Sequence, residues 1–167
     1  SQPQRKTISV TVDYGLSLTD MIAKGKYEYV NSDITAEHFP VLGTGAEKEK
    51  TEIVLVRFGF AIGSDKAVTE LAVMGLEPAR LEHACALGAT YSDLRRKYSV
   101  VFLGSSWVRP SRYRRVPYLG LWDRERGLRL HDWGGEWDAH YRFAAVRKTA
   151  GQDNIDDHLE LLEREKT

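Results

Sequence analysis

Four side chains near the end of the sequence are of the types that bind metal ions, namely His131, Asp132, Glu136 and His140. Imidazole and carboxylate groups suit zinc or iron. Their spacing matches neither H-E-x-x-H nor a close His-x-His pair, and the glycines at 134 and 135 would break a helix that could align them. Solvated loop side chains are therefore the favoured interpretation, and a metal-dependent enzyme using His131, His140 and nearby carboxylates is kept as an alternative.

Candidate nucleophiles are few. Ser105 and Ser106 follow a predicted strand in "FLGSSW", but the G-x-S-x-G elbow is missing, so we expect both hydroxyls to bond backbone groups in a turn. Cys85 is the only cysteine and lies among apolar residues of a predicted helix, which favours a buried, unreactive thiol. The glycines form neither a P-loop nor a dinucleotide fingerprint. We therefore predict no catalytic residue and no cofactor.

One basic cluster, "VRPSRYRR" at residues 108–115, places Tyr113 among four arginines. Ring stacking combined with phosphate contacts is typical of single-stranded nucleic-acid binding. Acidic residues at 123, 125, 132, 136 and 138 follow closely and can neutralise these arginines on one surface. A nucleic-acid module centred between Arg109 and Arg115 is a second alternative, and nucleic acid is not the favoured partner.

The segment richest in tryptophan is "LGLWDRERGLRLHDWGGEWDAHYRFAAVRK" at residues 119–148, which holds three of the four tryptophans. Tryptophan, tyrosine and arginine dominate protein-binding hot spots, and small residues between them let loops adapt. Trp107 and Trp137 adjoin predicted strands and are expected in the core. Trp122 and Trp133 lie among Asp, Arg and Gly and are expected at the surface. The segment therefore predicts a recognition surface.

The elements that must position this surface are predicted from periodicity. Alternating Ile8, Val10 and Val12 indicate a half-buried strand, and Ser17 caps a helix at 18–24. A strand at 51–62 is followed by helices at 65–74, with Ser64 as N-cap and Gly75 after its end, and at 78–87, opened by Pro78 and closed by Gly88.

The second half is predicted to be mainly β. A short turn at 93–98 precedes a strand at 99–107, and prolines, glycines and charges then indicate a long irregular region. Within it, Leu128 and Leu130 should face inward while Arg129 and His131 face outward. A strand at 141–148 places Phe143 and Ala145 on one face, and residues 149–167 predict a short amphipathic helix. The order of elements favours the α+β class, with two main helices on a small antiparallel sheet.

Composition bounds these interpretations. At 167 residues with 42% hydrophobic and 29% charged residues, the chain suits one globular domain with a real core. Its formal net charge is zero, so the whole molecule exerts no long-range attraction on nucleic acid or anionic membranes. No apolar run approaches the roughly 20 residues of a membrane span, and no signal-peptide pattern is visible. Cytoplasmic, cell-surface and virion-associated locations stay open, as does the oligomeric state.

Three segments resemble the formylglycine-generating-enzyme branch of the C-type lectin fold. "GLEPARLEHACALGA" is similar to its proline-led helix, "LGSSWVRP" to its G-G-S-W strand and loop, and "YRFAAVRK" to its terminal G-F-R-L strand. Within that branch the chain resembles variable proteins of diversity-generating retroelements, in which a reverse transcriptase rewrites adenine-derived codons and the fold displays the altered residues to a ligand. The resemblance implies a lectin-like domain at residues 1–148 with a variable stretch at 118–141.

Departures from that branch narrow the expected function. Its enzymatic members oxidise substrates with a pair of cysteines, whereas this chain has Cys85 alone. The calcium-lectin motifs E-P-N and W-N-D are also missing. We therefore expect a non-enzymatic domain that binds an unidentified ligand, most simply a protein, without metal. The expected contact residues are Tyr118, Leu121, Trp122, Asp123, Arg124, Arg129, His131, Asp132, Trp133, Glu136, Asp138, His140 and Tyr141.

Overall fold

The chain folds as an α+β protein built around a large mixed sheet. The computed structural model describes residues 2–41, 43, 47–91, 98–122 and 125–148, and describes residues 121 and 122 by their backbone alone. Within these ranges the helices are α1 (Leu18–Lys24), α2 (Ser64–Val73) and α3 (Leu81–Thr90). The strands there are β1 (Gln4–Asp13), β2 (Tyr29–Val30), β3 (Lys48–Arg57), β4 (Ile62–Gly63), β5 (Leu76–Pro78), β6 (Val100–Val101), β7 (Trp107–Val108), β8 (Arg114–Trp122), β9 (Glu125–Asp132), β10 (Glu136–Trp137) and β11 (Arg142–Arg147).

The N-terminal half follows the sequence pattern closely. Ile8, Val10 and Val12 are buried along one face of β1, because successive strand residues alternate between the two faces. The backbone N–H of Asp20 donates to the Ser17 hydroxyl at 3.1 Å, so Ser17 caps α1 as predicted. Each element of the predicted order of strand, helix, strand, two helices and strand is found, but three unpredicted short strands, β2, β4 and β5, interrupt that order, and β5 lies between the two helices.

The sheet differs from the small antiparallel one that we expected. Among the described strands, nine form one sheet whose main path is β1-β3-β11-β6-β8-β9-β2, with β5 beside β11 and β7 beside β8. The β6–β11 and β2–β9 contacts are parallel, so the sheet is mixed. Strands β2 and β6 have two residues each, too few for a visible alternation, and their parallel partners lie far along the chain.

The region after residue 108 is also more regular than predicted. Strands β8 and β9 form a continuous antiparallel ladder from the pair Arg115–Asp132 to the pair Trp122–Glu125. The strand expected around residues 128–131 is confirmed, whereas the expected irregularity is wrong for β8 and for the start of β9, where Pro117, Gly120 and Gly127 interrupt the alternation in the sequence. The backbone remains paired at that proline, since the Pro117 carbonyl accepts from the Phe102 N–H at 3.0 Å.

Two hydrophobic cores lie on opposite faces of the sheet. In β3, Ile53 and Leu55 belong to one core, whereas Val54 and Val56 belong to the other. Helices α1 and α3 cover the first core, and α2 covers the second, so three helices of the described part pack on the sheet where we expected two. We call these the α1–α3 face and the α2 face. The predicted shared face of Phe143 and Ala145 is confirmed on the α2 face.

Three predicted helix ends were wrong, while Gly75 follows α2 at φ +75° as expected. Ser64 is the first residue of α2 rather than its cap, because its hydroxyl bonds two tryptophans of the C-terminal region. Pro78 ends β5, and α3 begins three residues later. Gly88 lies inside α3, where the missing side chain leaves room for Tyr27.

Other sequence expectations are confirmed, are met in part, or fall outside the described residues. Cys85 is buried in α3, and burial followed by the charge of Glu82 raises the pKa of its thiol to about 12. The prediction of a core position for Trp107 is met only in part, because Trp107 packs half-buried against the core and stacks on His38 with 3.9 Å between ring centroids. No helix in the described ranges is long and apolar enough to cross a membrane. The predicted tail helix at 149–167 and most of the predicted turn at 93–98 lie outside those ranges.

We expect Gly104→Ala to lower the free energy of unfolding by about 1–3 kcal/mol, the usual range for overpacking. A Cβ atom at Gly104 would lie 2.5 Å from the Pro78 carbonyl oxygen and 2.6 Å from that of Ala79, and backbone atoms cannot move aside cheaply. Urea unfolding followed by tryptophan fluorescence measures the change. Gly134→Ala is the control, because no atom outside the glycine and its two chain neighbours lies within 4 Å of its Cβ position. Equal midpoints for the two variants would contradict the close approach.

Candidate recognition surface

The candidate surface begins with the alternation of β9. Leu128 and Leu130 are buried in the core of the α1–α3 face, as predicted. Arg129 and His131, at the intervening positions, therefore lie on the α2 face, where Arg129 is half-buried and His131 exposed. Directly opposite Arg129 on β8 is Tyr118, and paired residues of antiparallel strands share a face.

Four aromatic side chains from three strands and a loop meet on this face, and we call them the aromatic quartet: Tyr118, His131, Trp137 and Tyr141. Ring centroids are 4.8 Å apart for His131–Trp137 and 5.0 Å for Trp137–Tyr141. Tyr118 completes the circuit at 6.2 Å from both His131 and Tyr141. The tilted and edge-on geometries are those that aromatic pairs prefer. Each ring is thus held by two others.

Trp137 anchors the quartet to the interior. It is 3% exposed and packs edge-on against Phe143 of the core, which confirms the prediction that it is a core residue. Its indole N–H donates to the Ser64 hydroxyl at 2.8 Å, and that hydroxyl donates to the Trp133 carbonyl at 2.7 Å. One serine at the start of α2 therefore satisfies a buried indole and fixes the loop that carries Trp133.

A pair of glycines lets two side chains lie flat on the sheet. Gly120 and Gly127 are directly opposite each other in β8 and β9. A Cβ atom at Gly120 would be 3.0 Å from the Tyr118 ring, and one at Gly127 would be 2.7 Å from Nε of Arg129. The guanidinium of Arg129 extends over the ring of Tyr29, 4.5 Å from its centroid. The surface therefore continues from the quartet across Arg129 to β2.

Trp133 borders this surface in a fixed position. Its indole N–H donates to Oδ1 of Asp65 at 3.2 Å, and the guanidinium of Arg114 stacks on its ring at 3.5 Å. Trp133 is half-buried, so the expectation of exposure is met only in part. The reason is that Asp65 of α2, distant in sequence, supplies a partner for the indole.

Burial raises the pKa of both tyrosines in the quartet. For Tyr118 burial is the main cause, and the positive charge of Arg129 opposes it. For Tyr141 burial is again the main cause, with Tyr118 and Asp138 adding to it. Because an ordinary tyrosine already ionises only near pH 10, both phenols stay neutral at physiological pH and can donate hydrogen bonds to a ligand.

The remaining predicted contact residues divide into three groups. Glu136, Asp138 and His140 are exposed beside the quartet, with Oδ1 of Asp138 accepting from the His140 backbone N–H at 2.8 Å. Asp132 does not join them, because alternation places it on the α1–α3 face, 3.5 Å from the Arg115 guanidinium. Leu121 and Trp122 belong to β8 but their side chains, like all of Asp123 and Arg124, lie outside the described part of the chain.

The alternative chemistries gain little from the geometry. Among the described residues, no three His, Cys, Asp or Glu side chains are grouped so that they could hold a metal ion. The predicted bonding of both serines to backbone groups is confirmed for Ser105, which accepts from the Leu81 N–H at 2.8 Å, but not for Ser106, which accepts from Nε of the Arg114 side chain at 3.0 Å. Arg114 is thus engaged twice, Arg115 pairs with Asp132, and residues 109–113 form a turn between β7 and β8 with Tyr113 62% exposed.

Sequence reasoning missed the contacts of Tyr29, Ser64 and Asp65, which lie 68 to 100 residues before the groups they contact. No local pattern marks these three residues. Tyr29 falls in a segment without periodicity, and Ser64 and Asp65 are residue types that commonly begin a helix.

Ser64→Ala should lower the free energy of unfolding by about 1–3 kcal/mol, because it leaves the buried Trp137 indole N–H without its acceptor. Urea unfolding gives the free energy, and near-ultraviolet circular dichroism reports on the indole packing. Thr69→Ala is the matched control, since that hydroxyl bonds only the Asp65 carbonyl on the exposed side of the same helix. A loss no larger than that of the control would contradict the bridging role of Ser64.

No protein-family model, curated protein sequence or solved structure matches this chain.

Proposed function

We propose that the chain is a non-enzymatic, protein-binding domain with a C-type lectin-like scaffold, which displays a diversified surface centred on the aromatic quartet. The observation that carries the proposal is the division of β8 and β9 into two sets of positions. One set, including Leu119, Leu128 and Leu130, is buried in the core. The other, including Tyr118, Arg129 and His131, lies on the face that carries the quartet.

The chemistry of this face suits protein recognition. Tyrosine and tryptophan give large contact areas with few rotatable bonds, so ordering them on binding costs little conformational entropy. Here Tyr118 and Tyr141 are already held by ring contacts, and Arg129 is held between Tyr29 and Gly127. Preorganised anchors increase affinity because less freedom is lost in the complex. Exposed Glu136, Asp138 and His140 supply the polar rim typical of interfaces.

The same division supports diversification. Substituting a residue that leaves the core intact usually changes stability by only about 0.5 kcal/mol. A surface whose variable positions alternate with core positions can therefore change its ligand without losing its fold. The resemblance of three segments to the formylglycine-generating-enzyme branch of the C-type lectin fold, and within it to retroelement variable proteins, supports the same proposal and implies a variable stretch at residues 118–141.

We expect natural copies of this gene to differ mainly in codons for the quartet face. Deep sequencing of the gene and its flanking DNA in the source population tests this. The expected pattern is many substitutions at adenine-derived codons for positions such as Tyr118, Arg129, His131 and Tyr141, and none at Leu128 or Leu130. A nearby reverse-transcriptase gene and an invariant near-copy of the segment should accompany it. Equal variation at Leu128 and Leu130, or no near-copy, would overturn the diversification proposal.

A displayed library tests binding directly. We expect a library randomised at Tyr118, Arg129, His131, Glu136 and Tyr141 to yield clones that bind a purified protein such as streptavidin and still unfold cooperatively. In a selected clone, alanine at the best anchor should weaken binding by about 30-fold, or about 2 kcal/mol.

The matched control is a second library, randomised at exposed positions of β1 and β3 remote from the quartet: Thr7, Ser9, Thr11, Lys50 and Glu52. Binders recovered equally from both libraries would remove any special role for the quartet face. Stoichiometric zinc or iron in the purified natural protein would instead favour the metal-enzyme alternative. Binding of single-stranded oligonucleotides with a steep salt dependence would favour the nucleic-acid module.

A further inference from the structure

A second candidate site lies at the other side of the molecule, in a cleft formed by β1, β3, β11 and Tyr98. We call it the basic cleft. Four of its lining residues are Arg5, Lys6, Arg57 and Arg142. In the described part of the chain, no acidic residue lines the cleft. Its volume is about 120 Å³, well below the roughly 300–1,000 Å³ typical of sites for drug-sized ligands. The cleft therefore fits a small ion rather than a nucleotide or a peptide.

Strand register explains why the charges converge. Gln4 pairs with Arg57 between β1 and β3, and Phe143 pairs with Val56 between β11 and β3. Continuing the second register by one residue places Arg142 opposite Arg57. Gln4, Arg57 and Arg142 thus form a row across three adjacent strands, and Lys6 lies two residues further along the same face of β1. This is the α1–α3 face, opposite to the quartet.

Both arginines are held in place by backbone carbonyls. Nε of Arg57 donates to the Ala139 carbonyl at 3.1 Å, and Nη1 of Arg142 donates to the His140 carbonyl at 2.8 Å. The Arg142 guanidinium also stacks on Tyr98, 4.0 Å from the ring centroid. A guanidinium has five N–H donors, so each retains several for a ligand. Two positioned guanidinium groups are the usual means of binding a planar or tetrahedral oxyanion.

The facing positions of Arg57 and Arg142 carry an energetic cost that no ion pair among the described residues offsets. Like charges directly opposite each other on neighbouring strands are destabilising. The ion pairs found among the described residues involve Arg80, Arg115, Arg126 and Arg147, and not the arginines of this cleft. The pKa of Arg142 is lowered, first by burial and then by the charge of Arg57, while Tyr98 opposes the shift. A bound anion would relieve this repulsion.

We propose that the basic cleft binds a multiply charged oxyanion of the phosphate class, either free phosphate or the terminal phosphate of a small monoester. Lys6, Arg57 and Arg142 supply the charge, and the side chain of Gln4 offers a neutral donor. Because the formal net charge of the chain is zero, this attraction is local and not a property of the whole molecule. The cleft opens on the face of the sheet opposite to the proposed recognition surface, and the loop that carries Ala139 and His140 adjoins both.

Isothermal titration of the full chain with inorganic phosphate, at a constant ionic strength set by sodium chloride, tests the proposal. We expect saturable binding with one site and a dissociation constant of low millimolar or tighter. Acetate should bind at least about tenfold more weakly, since it carries one charge and fewer acceptors. Glycerol phosphate identifies the source: binding equal to that of phosphate indicates a monoester site, and weaker binding indicates a site for the free ion.

Charge-removing variants locate the binding. Arg142→Gln should weaken phosphate binding by about tenfold or more, as expected for loss of a charged hydrogen bond. Lys6→Gln should weaken it about fivefold, the smaller effect of a single mobile charge. Lys6 is exposed, so the Lys6→Gln variant should fold even if the Arg142→Gln variant does not. Arg147→Gln is the control for Arg142→Gln. Arg147 belongs to the same strand as Arg142, β11, but it is 65% exposed and pairs with Glu52 outside the cleft.

Two outcomes would overturn the proposal. One is the absence of saturable phosphate binding to the full chain. The other is that the Lys6→Gln and Arg142→Gln variants bind phosphate as tightly as the Arg147→Gln control, while circular dichroism shows that all three variants are folded.

Discussion

The antiparallel pairing of β8 with β9 is the constraint on which the rest of the candidate surface depends. Because paired residues share a face and successive residues alternate, the ladder that seats Leu119 opposite Leu128 in one core must also seat Tyr118 opposite Arg129 on the other face. A slip of one residue would exchange the two sets and expose the leucines to solvent. Core burial on one side therefore fixes the position of the recognition chemistry on the other.

The surface is stiff because its members are tied to the scaffold at several points. Trp137 belongs both to the core and to the quartet, so the rings rest on packed interior rather than on a loop. Ser64 joins α2 to the loop that carries Trp133 and to the indole of Trp137. Gly120 and Gly127 let Tyr118 and Arg129 lie against the sheet. Interlocked contacts of this kind hold side chains close to one geometry before a ligand arrives.

The sequence predicts those parts of the structure that depend on local patterns. The alternation of Ile8, Val10 and Val12, the Ser17 cap and the inward direction of Leu128 and Leu130 all follow from residues within a few positions of one another. The class of fold follows from the order of such elements. For the candidate surface, the outward positions Arg129 and His131 are obtained in the same way.

Contacts between distant segments could not be predicted from the sequence. The parallel pairing of β2 with β9 brings Tyr29 to Arg129, and no feature of either segment encodes that meeting. Serine is a preferred residue at helix caps, yet the Ser64 hydroxyl forms its hydrogen bonds with two tryptophans far along the chain. The composition of the segment predicts Asp132 on the recognition surface, whereas the register of β8 with β9 places it beside Arg115 on the other face of the sheet. In each case tertiary packing overrides a local preference.

The burial of Cys85 has a practical consequence. Its thiol is enclosed in α3 with a pKa of about 12, so at neutral pH it is almost entirely in the protonated form, which does not react with alkylating reagents. Since it is the only cysteine of the chain, a thiol introduced anywhere on the exterior would be modified selectively. Fluorophores or spin labels can thus be attached at chosen positions without first removing the native cysteine.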